Sequence, residues 1–235
     1  RLILSDSAFA CLFGCEILNA MSATYTPPQD PLVVLHDDHD LLVVAKPSGL
    51  LSVPGKGADL ANCLLSREHE VFPTALLVPR LDRDTSGVMV FGLTPYAQRH
   101  LGLQFEKRQV RKTYVARVLG RIAEKTGEVD LPLIVDWPNR PKQKVCFDTG
   151  KPAQTAWRVL RVNDAETRVR LTPKTGRSQQ LRVHMQALGH PILGDPFYAS
   201  GPAREHERLM LHSEELRLRH PDGGAGHTFR QKAPF

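Results

Sequence analysis

Val78-Pro79-Arg80-Leu81-Asp82-Arg83-Asp84-Thr85-Ser86-Gly87 sets two arginines and two aspartates between apolar runs at residues 75–78 and 88–91. Two readings of this stretch are open from its residues alone. A solvated turn would use its Asp and Ser side chains to cap backbone N–H groups, and its surface ion pairs would carry little energy. A charged turn at a strand edge also puts carboxylates and guanidiniums where a cleft can use them. Arg80, Asp82, Arg83 and Asp84 are therefore the first candidates for a functional site.

Working outward, residues 32–35 and 41–45 read as strands around His36-Asp37-Asp38-His39-Asp40. Two His and three Asp in five residues invite a metal hypothesis. Turn chemistry accounts for the Asp residues, no second ligand cluster accompanies them, and no metal site is expected. Lys46-Pro47-Ser48-Gly49-Leu50 leaves the second strand as a turn, and Pro54-Gly55-Lys56-Gly57 lacks the strand-to-helix spacing of a phosphate-binding loop. Residues 58–70 carry an uneven helical pattern through Leu60, Leu64 and Leu65.

Downstream, residues 88–91 read as a strand, and Thr94-Pro95 starts a helix reaching about Gln109 with Ala97, Leu101 and Phe105 on one face. Residues 112–118 alternate like a strand that puts Tyr114, Ala116 and Val118 together. Further strands are expected at 157–162 and 167–171. A turn at 173–178 then leads into a helix over 179–188, with Leu181, Met185 and Leu188 inward and Gly189 and Pro191 ending it. Closing strands at 209–211 and 215–218 and a Gly-rich turn at 222–226 complete the reading.

With 235 residues, 41% of them hydrophobic, the chain can bury one large core or two closely joined halves. Thirty-one basic against 25 acidic residues give a net charge of +6, which suits an anionic partner such as nucleic acid. Cys11, Cys15, Cys63 and Cys146 form no C-x-x-C pair, so neither a zinc site nor a disulfide framework is suggested, and a reducing cytoplasm is the expected setting. Residues 1–20 are apolar but broken by Ser5, Asp6 and Ser7, too short for a membrane span. Met21 reads as the natural start, residues 1–20 as a poorly ordered upstream extension, 21–31 as a Pro-rich arm, and 32–235 as the main domain. The stretch from Asp136 to Lys144 holds Trp137, Arg140, Lys142 and Lys144. It fits a solvated hairpin, or an arm that tracks a phosphate backbone and stacks on a base.

Three strings in order carry a resemblance. Arg80-Leu81-Asp82-x-x-Thr85-Ser86-Gly87, Lys112-x-Tyr114-x-Ala116 and Gly176-Arg177-Ser178-x-Gln180-Leu181-Arg182-x-His184 together resemble the RluA family of pseudouridine synthases, from about Pro28 to the C-terminus. Lys46-Pro47-x-Gly49-Leu50, the 136–144 arm and residues 149–155 are similar to family strings as well. The resemblance implies an α+β fold: a mixed, largely antiparallel sheet across two halves with a central active cleft; the S4-like domain frequent in the family is not expected, because only a short arm precedes the catalytic region. It implies an isomerase that converts uridine to pseudouridine in ribosomal RNA and tRNA stem-loops, by analogy uridine 746 of 23S rRNA and uridine 32 of tRNA. The protein would be a cytoplasmic monomer without cofactor or metal. His184, His190 and Asp195, which look like a loose ligand set, would then be packing or capping groups.

Residue by residue, the resemblance makes Asp82 the reacting carboxylate, Arg182 its cationic partner, and Tyr114 the ring against the target base. Arg80 would replace the flipped base in the RNA stack. Arg177, Lys112, Trp137, Arg140, Lys142 and Lys144 would bind RNA. A cation within about 4–6 Å favours an ionised Asp, so Asp82 is expected to be charged at neutral pH. Two departures from the family pattern bear on this: Pro79 and Gln179 stand where the family commonly has His. Pro79 fixes φ ahead of the turn. The alternatives are an RNA-binding protein of the same fold with impaired catalysis, or an unrelated basic domain.

Overall fold

The computed structural model describes residues 25–235; the upstream segment 1–20 and the start at Met21 lie outside the described residues. In chain order the strands are β1 (Val33–Asp37), β2 (Leu41–Lys46), β3 (Leu76–Leu77), β4 (Ser86–Gly92), β5 (Arg111–Leu119) and β6 (Thr126–Asp130). They continue as β7 (Leu133–Val135), β8 (Gln143–Val145), β9 (Gln154–Val162), β10 (Glu166–Pro173), β11 (Leu211–Arg219) and β12 (Gly226–Arg230). Among the described residues three α-helices, α1 (Leu64–Val71), α2 (Pro95–Glu106) and α3 (Gln180–Ala187), pack on the sheet.

Ten strands form one sheet in the order β1-β2-β4-β11-β5-β10-β9-β6, with β3 against β4 and β12 against β11. Every pairing in it is antiparallel except β4 with β11. That parallel seam spans only His212↔Ser86 and Ser213↔Gly87, and it joins the two halves immediately after the charged stretch. Gly87 is required there. Its φ is +112°, and an added Cβ would come within 2.2 Å of the Ser213 carbonyl oxygen. Ser86 Oγ lies 2.8 Å from His212 Nδ1 across the same seam.

Side-chain alternation along β2 explains why the first half is covered on both faces. Leu41 and Val43 join Leu101 and Phe105 of α2 in one core, whereas Leu42 and Val44 join Leu64 and Leu65 of α1 in another. In the second half Ala116, Val118, Val169 and Leu171 pack against Leu181 and Met185 of α3. β7 and β8 make a separate hairpin.

Several local expectations shift. The pattern over 58–70 resolves into a short 3₁₀ turn at Ala58–Leu60 followed by α1, whose start is fixed by a Cys63–Ser66 capping box. Thr94 caps α2 as expected, accepting a bond from Ala97 N at 3.1 Å, but the helix stops at Glu106 because Arg108 turns left-handed. Leu188, read as inward, is 37% exposed. The two expected closing strands are one, β11, with a bulge between Ser213 and Glu215. β12 lacked a distinct apolar run and was not anticipated. The Pro-rich arm is docked: Arg67 of α1 donates to Pro28 O at 2.7 Å, and Tyr25 Oη donates to Asn62 O at 2.9 Å.

Within α1, Glu68 is buried and, among the described residues, neither carboxylate oxygen has a hydrogen-bond partner. Burial raises its pKa to about 7. The folded state thus holds this proton more tightly than the unfolded chain, so its stabilisation is full below the ordinary Glu pKa and disappears as pH rises through about 7. Glu68→Gln should match wild-type stability near pH 5 and exceed it by about 1–2 kcal/mol near pH 8. Urea unfolding at the two pH values checks this; an equal difference at both would contradict it.

Candidate active site

The charged stretch forms the turn before β4, and a second turn clamps its backbone. Lys46, at the end of β2, is buried and donates from Nζ to the carbonyls of Pro47 (3.0 Å), Leu50 (2.6 Å) and Arg83 (2.7 Å). Gly49 N also donates to Arg83 O, Ser48 Oγ to Asp84 O at 2.6 Å, and Ser52 Oγ to Leu81 O at 2.7 Å. Thr85 N donates to Asp82 O. Each carbonyl from Leu81 to Asp84 therefore has a donor, which holds the turn in one shape. Burial lowers the Lys46 pKa to about 7, against the pull of Asp84 and Asp82. Arg83 folds onto Asp84, Nε to Oδ1 at 2.8 Å.

From the other half of the sheet, α3 brings Arg182. The buried side chain of Gln180 fixes the helix start, accepting from Thr175 Oγ1 (2.8 Å) and Arg177 N (3.0 Å) and donating to Gln154 O (2.9 Å). Two residues on, the Arg182 guanidinium is 2% exposed. It makes a bidentate pair with fully buried Asp195, Nε to Oδ2 at 2.8 Å and Nη2 to Oδ1 at 2.7 Å. Its remaining nitrogen, Nη1, reaches Asp82 Oδ2 at 3.4 Å. The Phe197 and Tyr198 rings lie 5.0 and 5.3 Å from the guanidinium carbon, and both residues donate their backbone N–H to Asp195 Oδ1. Burial works against the charge on Arg182, but the bonds and charge of Asp195, then Asp82, outweigh it and raise its pKa.

For Asp82 burial and the neighbouring cation pull in opposite directions. Burial pushes its pKa upward and outweighs Arg182, which pulls it down. Tyr114, on β5, is pushed up to about 12 by burial, so it is a neutral phenol at physiological pH.

Asp82, Tyr114 and Arg182 line a single cleft of about 1170 Å³, with Arg80, Lys112 and Arg177 along it. Six of the ten residues singled out in the sequence thus converge. Pro79 lies on the cleft wall, and Asp82 still reaches Arg182. The other four, Trp137, Arg140, Lys142 and Lys144, sit on or beside the β7–β8 hairpin, outside the cleft lining. Trp137 is exposed with Arg140 stacked 4.0 Å over its ring, and Lys144 pairs with Asp136 at 3.3 Å. Tyr198 connects hairpin to site: its hydroxyl accepts from Gln143 N at 2.7 Å and donates to Gln179 Oε1.

Asp195 is the main residue that sequence reasoning missed. It stood in a loose set with His184 and His190, which the fold separates. His184 bonds Thr155 Oγ1 (2.9 Å) and Leu131 O (3.1 Å), and His190 bonds Leu119 O (2.8 Å). The Asp-rich turn behaves as its turn chemistry suggested: Asp38 Oδ1 accepts from the N–H groups of Asp40 and Leu41, and Oδ2 lies between His36 and His220.

Comparison with known proteins agrees with this geometry. The family model described as RNA pseudouridylate synthase matches residues 40–187. The dual-specificity RNA pseudouridine synthase RluA of Escherichia coli strain K12 is 55% identical over 214 residues, covering 90% of this chain and 98% of that protein. The corresponding protein of Yersinia pestis is 53% identical over 206 residues, covering 87% and 100%. Among solved structures, human RNA pseudouridylate synthase domain containing 1 superposes with a TM-score of 0.75 at 28% identity, over 89% of this chain and 87% of that one.

Removing Asp195 leaves the buried Arg182 charge with only the looser contact to Asp82. Asp195→Ala should destabilise the fold by about 3–5 kcal/mol. Replacing both partners with apolar residues, Arg182→Met with Asp195→Leu, should restore much of that stability. Denaturant titration of the three proteins reads this directly; a single variant as stable as the double would contradict it.

Proposed function

The chain belongs to the RNA pseudouridylate synthase family and is an RNA-modifying isomerase; from that premise we propose that it acts on uridines in both large-subunit ribosomal RNA and the tRNA anticodon stem-loop, with uridine 746 and uridine 32 as the targets. The observation that carries the reading is Asp82 held 3.4 Å from a buried arginine inside a cleft rimmed by cations. The printed names of relatives at 53–55% identity support the dual substrate.

The reaction breaks the N1–C1′ bond of uridine, turns the base, and forms a C5–C1′ bond while C5 loses a proton and N1 gains one. All heavy atoms are retained, so no redox equivalent, nucleotide or net water is consumed. The target base must leave the helix stack first, at a cost of a few kcal/mol, and Arg80 at the cleft mouth takes its place. Attack of a carboxylate on C1′ and proton abstraction leading to a glycal make the same demand on Asp82: an ionised oxygen held still beside the ribose. The backbone clamp and Arg182 meet that demand. Tyr114 offers a plane to the base and assists departure of the C5 proton, which becomes acidic once the carbon–carbon bond has formed. Lys112 and Arg177 hold flanking phosphates, and the Trp137–Arg140 pair with Lys142 and Lys144 extends the grip beyond the cleft.

Tritium release from RNA labelled at uridine C5 tests the reading on a tRNA anticodon stem-loop and a ribosomal RNA hairpin. The wild type should release tritium from both, and Asp82→Asn should lose about 10³-fold or more in rate while RNA affinity changes far less. Release by Asp82→Asn at the wild-type rate would sink the assignment of Asp82, and release from one RNA alone would sink the dual substrate.

A further inference from the structure

The cleft is larger than one uridine needs, and its wall beyond Tyr114 is built from the end of α2 and the start of β5. Arg108 and Arg111 line that wall. Both are exposed, and among the described residues neither guanidinium makes a hydrogen bond or ion pair within the protein. Cations across the cleft are engaged instead: Lys174 pairs with Glu128 at 2.7 Å, and Arg177 Nε donates to Pro152 O at 3.1 Å.

Backbone geometry adds an independent observation. Gln109 N donates to Gln104 O at 2.8 Å and Arg108 N to Phe105 O at 3.1 Å, the paired bonds of a Schellman ending to α2. This ending asks for a left-handed residue at position 108, where Gly or Asn is ordinarily found. Here Arg108 occupies it with φ +57°. A long cation has thus been placed at a strained position where glycine would be easier, and the residue lines the cleft.

Resting on the synthase reading, we infer that Arg108 and Arg111 form a phosphate-binding wall for the RNA strand that flanks the extruded uridine. The ligand is a phosphodiester of the substrate RNA, met on the opposite side of the reacting centre from Arg177. Glu106, an exposed carboxylate on the same wall, repels that strand and limits its affinity.

Four variants and a control test this with the stem-loop used above. Arg108→Gly relieves the left-handed strain, so its thermal midpoint should equal or exceed that of the wild type. Its kcat/KM should nevertheless fall about tenfold, mostly through KM, as for loss of a hydrogen bond between charged groups. Arg111→Ala should behave alike in KM, and each should make the slope of log K against log salt shallower by about 1. Arg108→Lys should retain part of the affinity, and Glu106→Gln should lower KM. Arg121→Ala removes an exposed charge outside the cleft, paired at 3.8 Å with Asp164, and should leave KM and slope near wild type. Wild-type KM and salt slope in both Arg108→Gly and Arg111→Ala would overturn the assignment, as would an equal loss in Arg121→Ala. The salt slope needs no turnover: if the wild type bound RNA but released no tritium, the synthase reading would fail while the slopes still decided the role of this wall.

Discussion

Everything around the cleft depends on one buried guanidinium shared between two carboxylates. Arg182 comes from α3 in the second half of the sheet, Asp195 from the loop that follows, and Asp82 from the turn before β4 in the first half. A charged group this deep is tolerable only if its donors are matched, and the bidentate fit to Asp195 does most of that. With two nitrogens committed, the third can point only where the geometry leaves it, at Asp82. The contact of 3.4 Å is looser than the 2.7–2.8 Å bonds to Asp195. Arg182 is thus anchored on one side and free to exchange partners on the other, which suits the role proposed for Asp82.

The same logic explains the clamp on the turn. An aspartate on a free loop would lose its orientation, whereas here Lys46, Gly49, Ser48, Ser52 and Thr85 together take up the carbonyls of the four consecutive residues 81–84. The short parallel seam between β4 and β11 then sets this turn against Tyr114, which β11 pairs through Ser213. Gly87, with no room for a Cβ, keeps the two halves close enough for Arg182 to reach across.

What the sequence made legible was what short-range chemistry determines. Alternation placed Tyr114 on β5 beside Ala116 and Val118, Thr94 and Pro95 marked the start of α2, and motif order brought Asp82, Tyr114 and Arg182 to one cleft. Asp195 was not legible as their anchor, because nothing local distinguishes it from a turn residue and its partner lies 13 positions away on another element. Lys46 read as a turn residue for the same reason, since one of its three acceptors is 37 positions distant. The upward shift of the Asp82 pKa was not legible, because a sequence shows the neighbouring cation but not the burial that outweighs it. Arg108 gave no signal at all: its left-handed backbone follows from where α2 ends, and that end lies three residues before the expected one.

The pH dependence of single-turnover tritium release, in the wild type and in Arg182→Lys, tests most directly that the carboxylate beside Arg182 is the reacting group. Activity needs Asp82 ionised, and burial raises its pKa, so the acid limb of the wild-type profile should lie above the ordinary aspartate value. Weakening the guanidinium contact should move that limb to still higher pH. An acid limb at or below the ordinary value, or one that stays in place in Arg182→Lys, would mean that another group governs the reaction.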